Sequence, residues 1–177
     1  MSHPYNLIDF RACVKHAYYG APDQERLHCD VTDRRFATWQ VGAAGFLSRY
    51  IIPILEAGGS QRELVIAHDA GREYRTGIFS DYKGQKSKKD ENKSPIEIEQ
   101  CNLLFDWAKK FLRNLGATQL GVKGVEADDL IAWLRQMIKG PLNIYTVDED
   151  MLQLVDDDTI VYLESAPHFG ADGVYPE

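Results

Sequence analysis

Seven carboxylates fall in four short groups along this chain: Asp9, then Asp69, then Glu126 with Asp128 and Asp129, then Asp148 with Asp150. Carboxylates gathered closely repel one another and need a counter-charge to coexist. An all-oxygen donor set without histidine or thiolate suits hard cations, Mg²⁺ or Mn²⁺. Two such ions ~4 Å apart are the usual device for hydrolysing a phosphodiester, one activating the attacking water and the other stabilising the leaving oxygen. The internal spacings agree with that use. Asp150 lies two residues after Asp148, so an extended segment points both the same way. Glu126 and Asp129 are three apart and share a helix face, with Asp128 joining from the first turn.

Opposite charge is concentrated elsewhere. Between Arg72 and Lys93 there are seven basic residues and four acidic ones, so this segment is +3 while the chain as a whole is −7, leaving −10 on the remainder. An acidic body with one basic arm meets the needs of a metal-using phosphodiesterase: the arm (Arg72, Arg75, Lys83, Lys86, Lys88, Lys89) grips phosphates and the acids grip ions.

The elements that must position these groups alternate strand and helix. Tyr5 to Ile8 is a short apolar run ending in Asp9. Residues 33–56 carry helical spacing, with Pro53 bending or ending the helix. Residues 63–68 form a buried-type strand ending in Asp69. Residues 70–94 are polar and read as a long loop, a length that is usually functional or disordered. Ser94-Pro95 opens a helix in cap-then-proline order, running to about Leu115 and stopped by Gly116. Strands at 118–122, 142–147 and 159–163, with helices at 125–138 and 151–155, complete the pattern. This order predicts an α/β fold with a central parallel sheet, helices on both faces and right-handed crossovers. In such sheets ligands bind beyond the carboxyl ends of the strands, the edge where all four acidic groups are expected.

Length, composition and charge are those of one globular domain. The three cysteines, Cys13, Cys29 and Cys101, are far apart with no zinc spacing, which suggests reduced thiols. No signal-peptide pattern and no run of ~18 apolar residues is found, so the expectation is a cytoplasmic protein with no membrane partner.

Four stretches resemble the 5′ nuclease, or flap endonuclease, family, which includes phage 5′-exonucleases and the 5′ nuclease domain of bacterial polymerase I. They are Leu7-Ile8-Asp9; His68-Asp69-Ala70-Gly71-Arg72 through Tyr82-Lys83-Gly84; Gly124-Val125-Glu126-Ala127-Asp128-Asp129-Leu130; and Val147-Asp148-Glu149-Asp150-Met151-Leu152-Gln153-Leu154. The last two are the specific ones. Phe10 stands where the family usually has glycine, and the segment from Asp69 to Arg75 is one residue short. The resemblance implies a PIN-like, resolvase-like catalytic domain over 1–177, with an arch or clamp near 72–94. It implies a metal-dependent 5′-3′ exonuclease or flap endonuclease acting on DNA with a free 5′ end or 5′ flap. Asp9, Asp69, Glu126 and Asp128 would hold one ion, and Asp148 and Asp150 the other, with Asp128 or Asp129 between. Arg72, Arg75 and Lys83 would act on the scissile phosphate, and Tyr82, Lys86, Lys88 and Lys89 would join them on DNA. In relatives a stretch similar to Val174-Tyr175-Pro176-Glu177 leads into a helix–three-turn–helix region that binds duplex, often with K⁺. The expectation is an excised domain, or a separate chain supplying that region, with K⁺ only in the second case.

Plainer readings stand beside each signal. Acids at 126–129 complement a helix dipole, and Asp148 serves as a helix N-cap. Trp39, Trp107 and Trp133 read as core, His68 as packing, and Asp156-Asp157-Asp158 as a solvated turn. The competing functions are a PIN-type ribonuclease and a nucleic-acid-binding module with weakened catalysis.

Overall fold

Strand β1 (Tyr5–Asp9) is buried over its last four residues, as a parallel strand covered on both faces must be. Its side chains divide between two cores: Ile8 joins one apolar cluster and Leu7 the other. The computed structural model describes residues 4–20, 37–58, 63–80 and 94–163, with the backbone of short strands at 28–29, 34–35 and 166–168.

Around β1 lie β4 (Leu64–Ala67) on one side and β6 (Leu142–Thr146) on the other, both parallel to it. Strand β5 (Thr118–Leu120) extends the sheet beyond β4, and β7 (Thr159–Leu163) extends it beyond β6. The sheet order is β5-β4-β1-β6-β7-β8, where β8 (Ala166–His168) is antiparallel to β7. Two-residue strands β2 (His28–Cys29) and β3 (Arg34–Arg35) pair separately. The chain moves outward from β1 through β4 and β5, then crosses back to β6. The order therefore reverses beside β1, and a crevice opens at such a switch point.

Helices α1 (Phe10–Tyr19), α2 (Thr38–Phe46) and α5 (Pro95–Leu115) pack on one face, with Phe46, Tyr50 and Leu104 fully buried beneath them. Helix α6 (Ala127–Met137) covers the other face through Leu130 and Ile131. The expected parallel sheet with helices on both faces is present. Ser94 caps α5 by accepting from the Glu97 N–H at 3.2 Å, Pro95 follows, and Gly116 ends the helix at φ 89°, a conformation glycine adopts without a Cβ clash.

Three elements differ from the sequence reading. Helix α1 was not anticipated: its buried residues (Phe10, Cys13, Val14, Ala17, Tyr18) lie on one face, but aromatic and polar residues mask the period. The helix expected over 33–56 begins at Thr38 and passes through one π turn (Leu47–Ile51) into α3 (Ile52–Glu56), so the helical run continues past Pro53, which follows directly on the π turn. Within the expected loop, Glu73–Ile78 forms a short helix, α4, with no buried residue. Trp39, Trp107 and Trp133 are partly buried against the cores. Asp156 pairs with Arg135, Nε lying 3.2 Å from Oδ2, so this acid fixes a turn. Cys13 and Cys101 are buried and form no disulfide. Among the described residues no helix is long and apolar enough to cross a membrane.

Candidate active site at the carboxyl edge of the sheet

Asp9 is the last residue of β1 and the N-cap of α1. Its Oδ1 accepts the Ala12 N–H at 3.2 Å, and its Oδ2 accepts the Thr146 hydroxyl at 3.1 Å from the end of β6. Asp69, two residues past β4, accepts the Ala127 N–H on Oδ1 at 2.9 Å, at the first turn of α6. Asp148, two past β6, accepts the Asp150 N–H on Oδ1 at 3.0 Å. Each of these aspartates thus spends one oxygen on a backbone N–H that would otherwise lack a partner. Capping and site roles coexist in the same side chains.

The loops carrying Asp69 and Glu126 are laced together. Ala70 N–H donates to Val125 O at 3.0 Å, Gly124 N–H to Ala70 O at 2.8 Å, and Tyr74 N–H to Gly124 O at 2.9 Å. Gly71 (φ 129°) and Gly124 (φ 83°) permit this approach, because a Cβ on Gly71 would meet the Gly124 Cα at 2.9 Å. The two glycines hold Asp69 and Glu126 in register, a role that sequence reasoning did not assign to them.

Glu126, the N-cap residue of α6, is 6% exposed. Arg75 joins it to its neighbours: the guanidinium lies 3.4 Å from Glu126 Oε2, 3.2 Å from Asp128 Oδ2 and 2.8 Å from Asp129 Oδ2. Arg72 Nε is 3.3 Å from Glu126 Oε1. The two arginines predicted to contact phosphate thus stand on the acids predicted to bind metal. Arg11, missed by the sequence reading because α1 was missed, places Nε 3.7 Å from Asp69 Oδ2. Thr146, which orients Asp9 and accepts the Asp148 N–H at 3.1 Å, gave no signal beyond its place at a strand end.

The acids feel one another. Burial pushes the Asp9 carboxyl up to about 7, with Asp128 and Asp69 adding to the rise and the bonds from Ala12 and Thr146 opposing it. Burial also raises Asp128; its own backbone N–H and Arg75 oppose the rise, and Glu126 and Asp148 add to it. Asp9, Asp69, Glu126, Asp128 and Asp148 therefore share one field, and Arg75 draws in Asp129. Asp150 differs. The chain turns there into a 3₁₀ helix (Glu149–Leu154), so the extended geometry expected for Asp148 and Asp150 is not found, and Asp150 is exposed, its N–H bonded to Asp148. Tyr82, Lys83, Lys86, Lys88 and Lys89 lie outside the described residues.

The donor chemistry fits hard divalent ions: the acids brought to this edge offer oxygen ligands only, without thiolate or imidazole. As the side chains lie, no three acidic, histidine or cysteine groups among the described residues close on one point, and the Arg75 guanidinium stands among Glu126, Asp128 and Asp129. His68 is not part of the set. Its ring packs edge-on against Phe10 at 4.6 Å, its Nε2 is 3.1 Å from Gln119 Oε1, and burial lowers its pKa. Phe10 also meets Phe105 at 5.6 Å, filling with an aromatic ring the place where glycine was expected.

The family described as 5′-3′ exonuclease, N-terminal resolvase-like domain, matches residues 4–176. A 5′-3′ exonuclease of Bacillus subtilis (strain 168) is 33% identical over 125 residues, covering 69% of this chain and 39% of its own. DNA polymerase I of Lactococcus lactis subsp. cremoris (strain MG1363) is 36% identical over 104 residues, 55% of this chain and 11% of its own. The fold is similar to bacteriophage T5 flap endonuclease, solved as a complex with DNA and metal ions, at TM-score 0.68 and 14% identity over 94% of this chain and 58% of that one. The T5 5′-exonuclease solved with divalent zinc gives 0.65 at 15% identity, with the same coverage of both chains. The chain spans less than half the length of these curated relatives. With a match that runs across nearly all of its length, and with the acids of its distinctive motifs collected at one sheet edge, the chain belongs to the 5′-3′ exonuclease N-terminal resolvase-like domain family.

Proposed function

We infer that this domain is the catalytic part of a divalent-metal-dependent 5′ nuclease, hydrolysing DNA phosphodiesters near a 5′ end or at a 5′ flap and leaving 5′-phosphate and 3′-hydroxyl ends. The observation that carries this reading is the shared field of Asp9, Asp69, Glu126, Asp128 and Asp148 at the carboxyl edge, with arginines already among them. Asp9, Asp69, Glu126 and Asp128 would hold one ion; Asp148 and Asp150 would hold a second, with Asp128 or Asp129 between. Mg²⁺ or Mn²⁺ is the expected metal, from the oxygen-only donors. Such ions supply Lewis acidity to the phosphodiester when bound.

The chain's own residues do the rest. Thr146 and the Ala12 N–H hold Asp9 in one orientation, and the Ala127 N–H does the same for Asp69. Arg72 and Arg75 exchange carboxylate for phosphate oxygens when a strand enters, since the guanidinium fork suits both. Lys83 and its neighbours Tyr82, Lys86, Lys88 and Lys89 would track the strand, and Lys83→Ala should lower the salt slope of binding by about one.

The test is cleavage of a labelled 5′-flap duplex in Mg²⁺ or Mn²⁺, repeated in EDTA. Metal-dependent cutting near the junction supports the reading. Intact binding without cutting at any protein level favours a binding module, and faster cutting of matched RNA favours a ribonuclease.

A further inference from the structure

Helix α4 buries none of its residues, and its two ends are fastened differently. The start is held by backbone and packing. The Tyr74 N–H donates to Gly124 O at 2.9 Å, and the Tyr74 ring meets Trp133 of α6 edge-on at 5.2 Å. The far end is open to solvent, with Ile78 73% and the C-cap Phe79 60% exposed. There the Thr76 and Phe79 N–H groups bond within the helix, to Arg72 O and Arg75 O.

Between the two ends stands Arg75. Its Nε and Nη2 donate to the two oxygens of Asp129 at 2.8 and 3.0 Å. Nη2 also donates to Asp128 Oδ2 at 3.2 Å, and Nη1 lies 3.4 Å from Glu126 Oε2. Arg72, the N-cap of α4, adds its contact to the other oxygen of Glu126. The sequence then runs from α4 straight into the basic stretch that holds Lys83, Lys86, Lys88 and Lys89. The root of that stretch is thus fastened to the sheet edge by arginines on acids.

We propose that α4 is a latch opened by divalent ions: an ion held by Glu126 and Asp128 displaces Arg75 and frees the second turn of α4. The proposal rests on the metal reading of these acids and deepens it by naming what ion binding moves. Two of the three carboxylates under Arg75 are the ones that reading gives to an ion. A double positive charge a few ångströms from a guanidinium repels it, and Asp129 alone is left to hold Arg75 against that repulsion. A ligand shifts such an equilibrium only by binding one arrangement better than the other. Here the open arrangement alone offers the ion all of these oxygens. Segments with few buried contacts and exposed hydrogen bonds are the ones that open locally at low cost, and the second turn of α4 is such a segment. The latch also sets an order of events. Arg72 and Arg75 become free for phosphate once the ion is in place, so the ion loads before the strand is gripped.

The experiment needs no DNA and no cleavage. The full chain is titrated with Mn²⁺, with bound ion followed by loss of the free-ion EPR signal. Opening of α4 is followed in the same titration by hydrogen exchange of residues 72–80, with residues 104–115 of α5 as the reference. Exchange in α4 should rise at least about fivefold over its rate in EDTA, with the same midpoint as ion binding, while the reference does not rise. Arg75→Gln should exchange in EDTA as fast as the ion-saturated parent and respond no further to Mn²⁺. If Mn²⁺ binds while α4 exchanges as slowly as in EDTA, or more slowly, the latch is overturned and the nuclease reading stands. An Arg75→Gln chain that melts cooperatively and exchanges in α4 as slowly as the parent overturns it equally. Failure of Mn²⁺ to bind at all removes the metal reading itself, and the latch with it.

Discussion

Arg75 Nε lies 2.8 Å from Asp129 Oδ2, on a guanidinium that also reaches Glu126 and Asp128. One cation from α4 thus bridges three acids at the start of α6, the N-cap Glu126 and the first-turn Asp128 and Asp129. It ties an otherwise exposed helix to the sheet edge.

Arg75→Ala leaves those acids to repel one another in a partly buried place. In EDTA the variant should lose about 2–3 kcal/mol of stability in urea unfolding. Arg75 and an added ion compete for the same oxygens, so Mn²⁺, titrated by its EPR signal, should bind the variant more tightly than the parent. Weaker Mn²⁺ binding with unchanged stability would show that Arg75 is not their counter-ion.

Asp9 gives a pH signature. Its carboxyl titrates at about 7 when folded, chiefly through burial, against an ordinary value of 3.8. Below 3.8 both states hold the proton. Between 3.8 and 7 the unfolded chain releases it and the folded chain keeps it, so stability falls as pH rises, and the loss is complete above about 7. In EDTA, Asp9→Asn should flatten this slope and melt higher than the parent at pH 8, by at most about 4 kcal/mol. Parallel melting curves for the two proteins across pH 5–8 would contradict this.

Asp148→Asn should separate fold from chemistry. An amide oxygen accepts the Asp150 N–H as well as a carboxylate does, so circular dichroism and melting should be preserved. Flap cleavage should fall by at least about a hundredfold. Retained activity would remove Asp148 from the site.

Gly71→Ala tests the lacing between the two ligand loops. A methyl group at φ 129°, 2.9 Å from the Gly124 Cα, should cost about 1–3 kcal/mol. It should also weaken Mn²⁺ binding although no acid is altered. A variant as stable and as tight as the parent would mean that the loops tolerate separation.

The parts of the fold that could be read in advance are those with a clean period or punctuation. β1, β4 and β6 are apolar runs ended by an acid, and α5 opens on Ser94-Pro95 and closes on Gly116. Helix α1 escaped because Tyr18 and Tyr19 and the polar residues Arg11, Lys15 and His16 blur its apolar face. Helix α4 escaped because it buries nothing and is held by ion pairs, which leave no hydrophobic pattern. In the site, spacing and topology placed the acids at the carboxyl edge, while the two arginines came from the basic run and the family resemblance. These signals could not find Arg11, Thr146 or the Gly71–Gly124 contact, which exist only through tertiary proximity. The extended segment assumed for Asp148 and Asp150 gave way to a 3₁₀ turn because Asp148 caps it.

Asp9, Asp69 and Asp148 each anchor a backbone N–H with Oδ1, and this limits how the chain can lose its chemistry by mutation. Discarding such an aspartate for an apolar residue strips a helix or turn of its anchor as well, so inactivation by that route damages the scaffold. Asparagine or serine silences the centre while keeping the anchor. A silent descendant that still folds should therefore carry amides or hydroxyls at these three places, and its history would be legible in them.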